Sequence, residues 1–563
     1  MLLSAAFVLL QMSAVMPDAG RVLRDAKRAQ ARFETFRRSH LPWDRSGSPG
    51  AGQCDAHIGR YCYWYDSTQS IVVPEPNLIA AGRKGLIDLL DSAAALNPSD
   101  GWIAGQRVRY LIEGGRTADA VKAAQQCRAE PWRCMALEGL ALHVAQRFPE
   151  ADSAFLAALR AMPEPQRCDW LDLGRLTAGR LERELSRASC TERETLAHRL
   201  WELSEPFWSE PGNDLRTEHF ARRTMDAILT GSANAHAMSW GADSEELLVR
   251  FGWAEWFTRR RDDVGGFTTA PQVTGHDREP SYNFLAEVPS VRVVPRVADS
   301  SWRFRDPLAR TRYAPRYLKR LVDLRHQLAR FPRGDSMLVA VAYRVADTTL
   351  SRDSVSTWLI SRRSGDGRLE TRDQRRETGG WKGRGALSGL IARDTAVASS
   401  EVRGLKSLRA ARARYTLDPL ACQQHWCLSD LLLFDTAGIS QADAVETLIA
   451  HAMPDARLSN RVPLGVYWEI EGAGGTPQTV WLTLTVSPER VSLARKVATR
   501  LRLARELAPV RLRWQATLTS PRDAQHVVLR LPHNARGAYR VVLTMEPPNA
   551  PALTASRELE LIP

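Results

Sequence analysis

A chain of 563 residues, 44% hydrophobic and 25% charged, holds enough apolar material for several cores, which excludes bulk disorder. At about 100–200 residues per domain, three or four domains are expected. The formal charge of +13 comes from 77 Lys and Arg against 64 Asp and Glu, dispersed along the whole chain. A nucleic-acid binder gathers its cations on one face, so nucleic acid is not an expected partner, and weak association with an anionic envelope surface is the most this charge implies.

In chain order, residues 1–19 carry a short apolar run, 2–10, followed by the small residues Ser13, Ala14 and Ala19. This reads as a signal peptide, so the mature chain is expected outside the cytoplasm, periplasmic or extracellular. The run is shorter than the about 20 residues that span a bilayer, and no later segment is apolar enough, so no transmembrane helix is expected in the mature chain. Residues 20–72 open with a helix marked by Val22, Ala26, Ala29, Phe33 and Phe36, then break into a Cys-bounded, Tyr-rich loop.

Eight cysteines fall into four local pairs: Cys54 with Cys62, Cys127 with Cys134, Cys168 with Cys190, and Cys422 with Cys427. An even number in an exported chain predicts disulfides, and nearest-neighbour pairing is the simplest of the 105 possible connectivities. Their spacings suit no zinc site.

Residues 73–165 read as helical hairpins. Gly139, Ala151, Phe155, Ala158 and Pro163 fall at the small, small, aromatic, small and proline positions of a tetratricopeptide unit, and Gly115, Ala120 and Ala124 repeat part of it. This segment resembles a tetratricopeptide array of about two to three units. The disulfide expected at Cys127 and Cys134 would clamp one hairpin to the next.

Residues 166–263 stay helical while the repeat disappears. Trp208, Asn213, Arg216, Glu218 and Phe220, followed by Trp240, Gly241, Asp243, Leu247, Phe251 and Gly252, resemble in order the GWxTD-domain family of uncharacterised bacterial exported proteins. The chain has Trp240-Gly241-Ala242-Asp243 in place of Gly-Trp-x-Thr-Asp, which makes it a divergent member. The resemblance implies an architecture of export signal, tetratricopeptide repeats, this helical module and a β-rich tail. It implies no activity.

Residues 264–330 read as a connecting segment closed by a helix at 315–329. Beyond 330 the period changes to two. Strands are expected through 331–436 and again through 461–563, as two β-sandwich domains joined by a helical linker at 437–460. The fold class is therefore multidomain, α then β. Arg490, Arg495, Lys496, Arg500, Arg502, Arg505, Arg511 and Arg513 lie in a stretch where Leu493, Val497, Leu501 and Ala504 recur at helical spacing, which reads as a solvated helix on the last domain. Trp468, Trp481 and Trp514 are expected in strand cores.

No motif of established chemistry is present. There is no HExxH, no GxSxG and no Walker loop, and Gly379-Gly380-Trp381-Lys382-Gly383-Arg384-Gly385 reads as an ordinary loop. His219 beside Glu218 does not converge on one ion, because neighbours on a helix point about 100° apart. No cofactor and no metal is expected. Asp214 and Glu218, four apart, share a helix face, with Arg216, Arg222 and Arg223 nearby to neutralise them. The expected function is non-catalytic protein or peptide binding, or scaffolding, in the cell envelope through the repeats. The alternative is a hydrolase whose acids at 208–256, Glu218 and Asp243 among them, converge on a cleft. A second alternative is carbohydrate binding by exposed Trp.

Overall fold

The computed structural model describes residues 18–43, 56–63, 73–260 except 178, 263–264, 267–268, 272–276, 311–363 except 314, 316 and 319, 368–378, 381–393, 395–417, 420–436, 444–472, 477–489, 509–532 and 535–562. Residues 1–17 of the signal peptide expected at 1–19, residues 490–508 of the basic stretch, and Cys54, the expected partner of Cys62, lie outside them. Two compact units emerge. One comprises Met1–Pro206, Pro211–Leu285 and Arg305–Pro315; the other comprises Phe207–Glu210, Ala286–Phe304 and Arg316–Pro563. A helical region thus precedes a β-rich region. No described helix is long and apolar enough to cross a membrane.

The helical unit contains α1 (Ala19–His40), α2 (Asn77–Leu96), α3 (Gly101–Glu113), α4 (Thr117–Gln125), α5 (Pro131–Val144), α6 (Phe148–Ala161), α7 (Glu164–Trp170), α8 (Arg180–Arg187), α9 (Cys190–Ser204), α10 (Asp214–Leu229) and α11 (Ala242–Phe251). Short polar side chains set the starts. Asp18, Asp100 and Asn213 accept backbone N–H groups at the heads of α1, α3 and α10, and Ser189 forms a capping box with Glu192 at α9. The small residues of the repeat pattern do what their size permits. A Cβ on Gly139 would lie 2.7 Å from the Phe155 ring, so only glycine lets α5 and α6 approach this closely. Ala120, Ala151, Phe155 and Ala158 are fully buried. Three of the four expected disulfides are formed, Cys127–Cys134, Cys168–Cys190 and Cys422–Cys427. The first links the end of α4 to α5, and the second joins α7 to the start of α9.

Helices α1, α3 and α5 share one face, and α10 runs across it. At its start, α10 meets α5 and α6 through Thr217, Glu218 and Phe220; at its end, Ile228 packs on Gly105 of α3 and its carbonyl accepts from Gln106 Nε2 at 2.8 Å. Just beyond, Gln30 of α1 donates to the Ala233 carbonyl at 2.7 Å and accepts its N–H at 3.1 Å. The unit also holds three short antiparallel ladders: β1 (Ala56–Ile58) with β2 (Tyr61–Tyr63), β3 (Trp256–Arg260) with β6 (Gln272–His276), and β4 (Asp263–Val264) with β5 (Phe267–Thr268).

The β unit begins with β7 (Arg320–Arg333), β8 (Ser336–Val345), β9 (Val355–Arg363), β10 (Leu369–Glu377), β11 (Arg384–Ala392), β12 (Thr395–Gly404) and β13 (Arg409–Thr416). They form one sheet ordered β10-β9-β12-β13-β7-β8-β11, in which only β13 and β7 run parallel. Its two ends come together, since the Ser388 N–H on β11 donates to Asp373 Oδ2 on β10 at 3.1 Å. The curled sheet encloses Leu324, Val339, Val341, Leu359, Leu387 and Val402.

Next come β14 (Ala421–Gln423), β15 (Trp426–Leu428), β16 (Leu432–Asp435), a helical turn (Val445–Leu448), β17 (Arg457–Ser459), β18 (Leu464–Glu471), β19 (Gln478–Pro488), β20 (Val510–Leu518), β21 (Arg522–Leu529), β22 (Gly537–Glu546) and β23 (Leu553–Ile562). β18 pairs with β15, β16 and β21, and β15 with β14; a second sheet runs β17-β23-β22-β19-β20. Val466 and Trp468 of the first sheet share one core with Leu482, Leu484, Val541 and Leu543 of the second.

Four expectations are corrected. The helix expected at 315–329 is strand β7: Leu321, Leu324 and Leu328 satisfy helical spacing, but β8 and β13 supply ladder partners on both sides, and pairing prevails over local pattern. The strands at 421–435, assigned from sequence to the first β domain, hydrogen-bond into the sheet built on β18. Arg511 and Arg513 lie on β20, not on a helix. Trp481 faces outward at 40% exposure under the Arg513 guanidinium, while Trp468 is fully buried.

Candidate functional site

The densest buried polar chemistry in the helical unit surrounds α10, of whose 16 residues 13 are buried. The sequence dictates this locally. Asn213 accepts the Arg216 N–H at 2.9 Å and donates to the Trp201 carbonyl at 2.8 Å, fixing where the helix starts. Arg216 then forks onto Asp152 of α6, with Nε to Oδ1 at 2.7 Å. One turn on, Glu218 stands between two helices. Its Oε2 is 2.6 Å from His143 Nε2 on α5, and its Oε1 accepts from Arg222 Nε at 2.6 Å. Arg222 continues to the carbonyls of Val249 and Arg312, and its guanidinium stacks over Tyr313 at 4.2 Å. Gly252, with φ of +92°, ends α11 against that same guanidinium.

His143 Nδ1 lies 2.9 Å from Thr217 Oγ1, so hydroxyl, imidazole and carboxylate are connected in the order of a nucleophile triad. The geometry assigns them otherwise. Thr217 is fully buried, its hydroxyl donates to the Asp214 carbonyl of its own helix at 3.0 Å, and it adjoins Glu218 in sequence. The imidazole is a strut between α5 and α10.

Electrostatics at the site are strongly perturbed. Burial, with Glu205 and Glu218 close by, pushes the Asp214 carboxyl up to about 8. Burial beside Arg223 and Arg222 holds His219 down to about 3; its Nε2–H donates to the Trp170 carbonyl at 3.0 Å. Burial also lifts Asp226 to about 6, where it accepts the Trp240 indole N–H at 2.7 Å. A second buried network pins α1 on α3: Glu34 accepts from Arg109 at 2.9 Å and Tyr110 at 2.6 Å, and Arg37 donates to Glu113 at 2.6 Å. Burial works to raise Glu113, and Arg37, Arg109 and Arg83 more than reverse it, holding the carboxyl at about 2.

The residues singled out in the sequence therefore separate. Asn213, Arg216, Glu218, Phe220 and Gly252 gather around α10. Asp243 does not join Glu218; at the head of α11 it forks with Arg60, whose Nε and Nη2 donate at 2.6 and 2.8 Å, and this pair holds the Asp243 carboxyl below its ordinary range. The Glu218–Asp243 cleft expected of a hydrolase is not formed. Asp214 and Glu218 are buried, and of the three arginines expected to neutralise them only Arg222 reaches Glu218; Arg216 serves Asp152, and Arg223 donates to Glu245 at 2.7 Å. Trp208 groups with the β unit. Its indole lies between the Arg362 and Arg414 guanidiniums at 4.7 and 4.4 Å, and Glu401 accepts the N–H groups of Trp208 and Ser209.

Sequence reasoning missed His143, Asp152, Asp226 and Arg60. Their partners lie 14 to 183 residues away, and the one local hint was His143, a polar residue in the apolar last turns of α5. Among the described residues, Glu164, Cys168 and Cys190 converge as metal ligands would, but the two sulfurs are joined to each other and supply no thiolate.

No family model matches the sequence, and no curated protein matches it. Among solved structures, an Escherichia coli alpha-2-macroglobulin activated by porcine elastase is 13% identical, covering 42% of this chain and 23% of its own, with a TM-score of 0.15. A Salmonella alpha-2-macroglobulin reacted with methylamine is 8% identical over 42% and 24%, with a TM-score of 0.22. A Bacteroides uniformis beta-glucuronidase 2 is 11% identical over 40% and 26%, with a TM-score of 0.17. The chain thus spans about a quarter of the length of each, and likenesses at these scores carry no argument about fold or function.

Proposed function

We propose that this chain is an exported, non-catalytic binding or scaffold protein of the cell envelope, built from tetratricopeptide-like hairpins and β-sandwich modules. One observation carries this reading. The acids that could have formed a reactive cluster hold helices together instead: Glu218 joins α10 to α5, and Asp152 joins α6 to α10. The close α5–α6 approach at Gly139 supports the hairpin assignment, and the core shared by two sheets supports the sandwich. Three local disulfides fit an oxidising compartment.

The same geometry refines how the array would bind. The inner face of a helical repeat is its usual peptide-binding surface. Here α10 lies along that face, so a partner would use what α10 leaves open at the α3 end. The test is in vivo crosslinking of the full-length protein in the envelope fraction. Specific protein adducts from residues at that end are expected, and adducts confined to the β-rich region would refute a role for the repeats.

A further inference from the structure

In the β unit, a cleft of about 550 Å³ lies between β7 and one edge of β23. His326 and Gln327 line it from β7, Ser556, Arg557 and Glu558 from β23, and Asp455 from the turn before β17. Its size falls within the about 300–1,000 Å³ of ligand clefts. The first feature that lacks a partner here is backbone. Successive residues of an edge strand turn their N–H and C=O groups to opposite sides. The Glu560 N–H donates to the Ala456 carbonyl at 2.9 Å, so Ser556 and Glu558, two and four residues earlier, turn theirs the same way, away from β22. β17 pairs with Glu560, Leu561 and Ile562 and goes no further. Ser556 and Glu558 therefore present N–H and C=O groups to the cleft with no ladder partner among the described residues, and both are exposed. An unpaired edge of this kind is a template for one more strand.

The second feature is Arg557, between those two residues and on the opposite face of β23. It is half-buried, and its Nε and Nη2 donate to the carbonyls of Leu431 and Leu328 at 3.1 and 2.6 Å. Nη1 makes no hydrogen bond among the described residues, and it is not sealed from solvent. The nearby carboxylate, Asp430, is taken by Arg330, whose Nε and Nη2 donate to it at 2.8 and 3.1 Å. Two guanidiniums thus share one acid, and Arg557 is left without a counter-charge, an arrangement that burial penalises. On the outer face the balance is reversed. Glu560 has Arg457 at 2.6 Å, but Glu489 and Glu558 compete for Arg540, which reaches Glu558 at 3.4 Å. Asp455 has Arg325 at 3.6 Å. The inner side of the edge lacks an anion, and the outer side lacks a cation.

We infer that the cleft takes an extended peptide segment that adds to β23 as an antiparallel strand. Its backbone bonds Ser556 and Glu558, and the residue between those bonds is an Asp or Glu whose side chain meets Arg557 Nη1. Because side chains alternate along a strand, the two neighbours of that acid fall on the outer face, where Lys or Arg would meet Glu558. This site lies in the β unit and does not depend on the repeats.

The experiment titrates the full-length protein calorimetrically with acetyl-Val-Lys-Glu-Lys-Val-amide. Binding is expected, and replacing the central Glu with Gln weakens it by at least about tenfold. Inverting the pattern, as acetyl-Val-Glu-Lys-Glu-Val-amide, abolishes it, and so does methylating the backbone nitrogens of both lysines. Ser556→Pro removes the outward N–H and keeps the bonds to β22; it weakens binding by about threefold to tenfold. Arg557→Gln makes the Glu and Gln peptides bind equally, which a purely structural role for Arg557 would not do. Should Arg557→Gln fail to fold, the peptide series and Ser556→Pro decide the matter. Equal binding of the inverted peptide, or binding indifferent to the lysine methylation, overturns the inference. A dimer that Ser556→Pro dissolves and the peptide does not displace also overturns it, since the edge would then pair with a second copy. If envelope crosslinking captures partners at the repeats while no peptide binds, the cleft assignment fails and the repeat-based reading stands. If the peptide binds and the adducts are confined to the β-rich region, the repeat-based reading fails and the cleft stands.

Discussion

Glu218 is the residue on which the helical unit's interior most depends. Removing its carboxylate leaves Arg222 and His143 buried without their shared acceptor, and breaking a buried pair in this way costs about 3–5 kcal/mol. Urea denaturation of Glu218→Ala should show that loss. Asp243→Ala should change the midpoint little, because its partner Arg60 is exposed and such pairs contribute little. The acids of α10 also set the pH response. Asp214 titrates near 8 in the folded chain against an ordinary value of 3.8. A raised carboxyl means the folded state holds its proton more tightly than the unfolded state does. Its contribution is complete below pH 4 and is lost as pH rises toward 8. His219 works in the opposite direction, since its depressed value favours folding above about 6.5 and loses that as pH falls toward 3. Asp214→Asn should therefore raise the melting temperature at pH 8.5 and leave it nearly unchanged at pH 4. Equal effects at both values would show that Asp214 is not buried as described. None of this was legible in sequence. Asp214 and Glu218 sit four apart among arginines, a pattern that surface helices share, and the surroundings that set their chemistry, His143 at Glu218 and the like charge of Glu205 near Asp214, are connected to them by no local spacing.

At the scale of elements, size rather than charge governs. Gly139 is in a helix, where alanine is favoured by about 1 kcal/mol. Yet a Cβ there would strike Phe155 at 2.7 Å, so Gly139→Ala should destabilise by about 1–3 kcal/mol, the reverse of the propensity order. The closed loops predict the disulfide effects. Chain entropy gives about 2–3 kcal/mol for Cys127–Cys134 and somewhat more for Cys168–Cys190, whose sequence separation is 22 against 7. Replacing each pair with serine and comparing thermal melts checks both the magnitude and the order. The α5–α6 hairpin and the three observed cysteine pairs were readable because their determinants are local: small residues at fixed offsets, and sulfurs 5 to 22 residues apart. Strand β7 was not readable. Its apolar residues fit a helix as well as a strand, and the choice rests on β13, about 90 residues away, and on β8. Trp481 shows the same limit, because alternation along β19 does not say which face the second sheet covers.

For the whole molecule, composition and period predicted the order of helices and then strands, and missed where the pieces divide. β14–β16 follow the first β module in the chain yet complete the sheet of the second, and Phe207–Glu210 groups with the β unit although helices flank it in sequence. Both depend on long-range pairing that a periodic pattern does not encode. The helical unit carries the same lesson: no local spacing in residues 73–165 reveals that α10, 70 residues downstream of α5, packs on both α5 and α3. Hydrogen exchange of the α10 amides, residues 214–229, tests that placement most directly. If α10 is packed on α3 and α5 as described, its amides exchange only through global unfolding of the helical unit, as slowly as those of α3 and α5. Exchange of α10 well ahead of α3 and α5 would mean the helix leaves the face, and its buried acids would then be free for a role other than holding helices together.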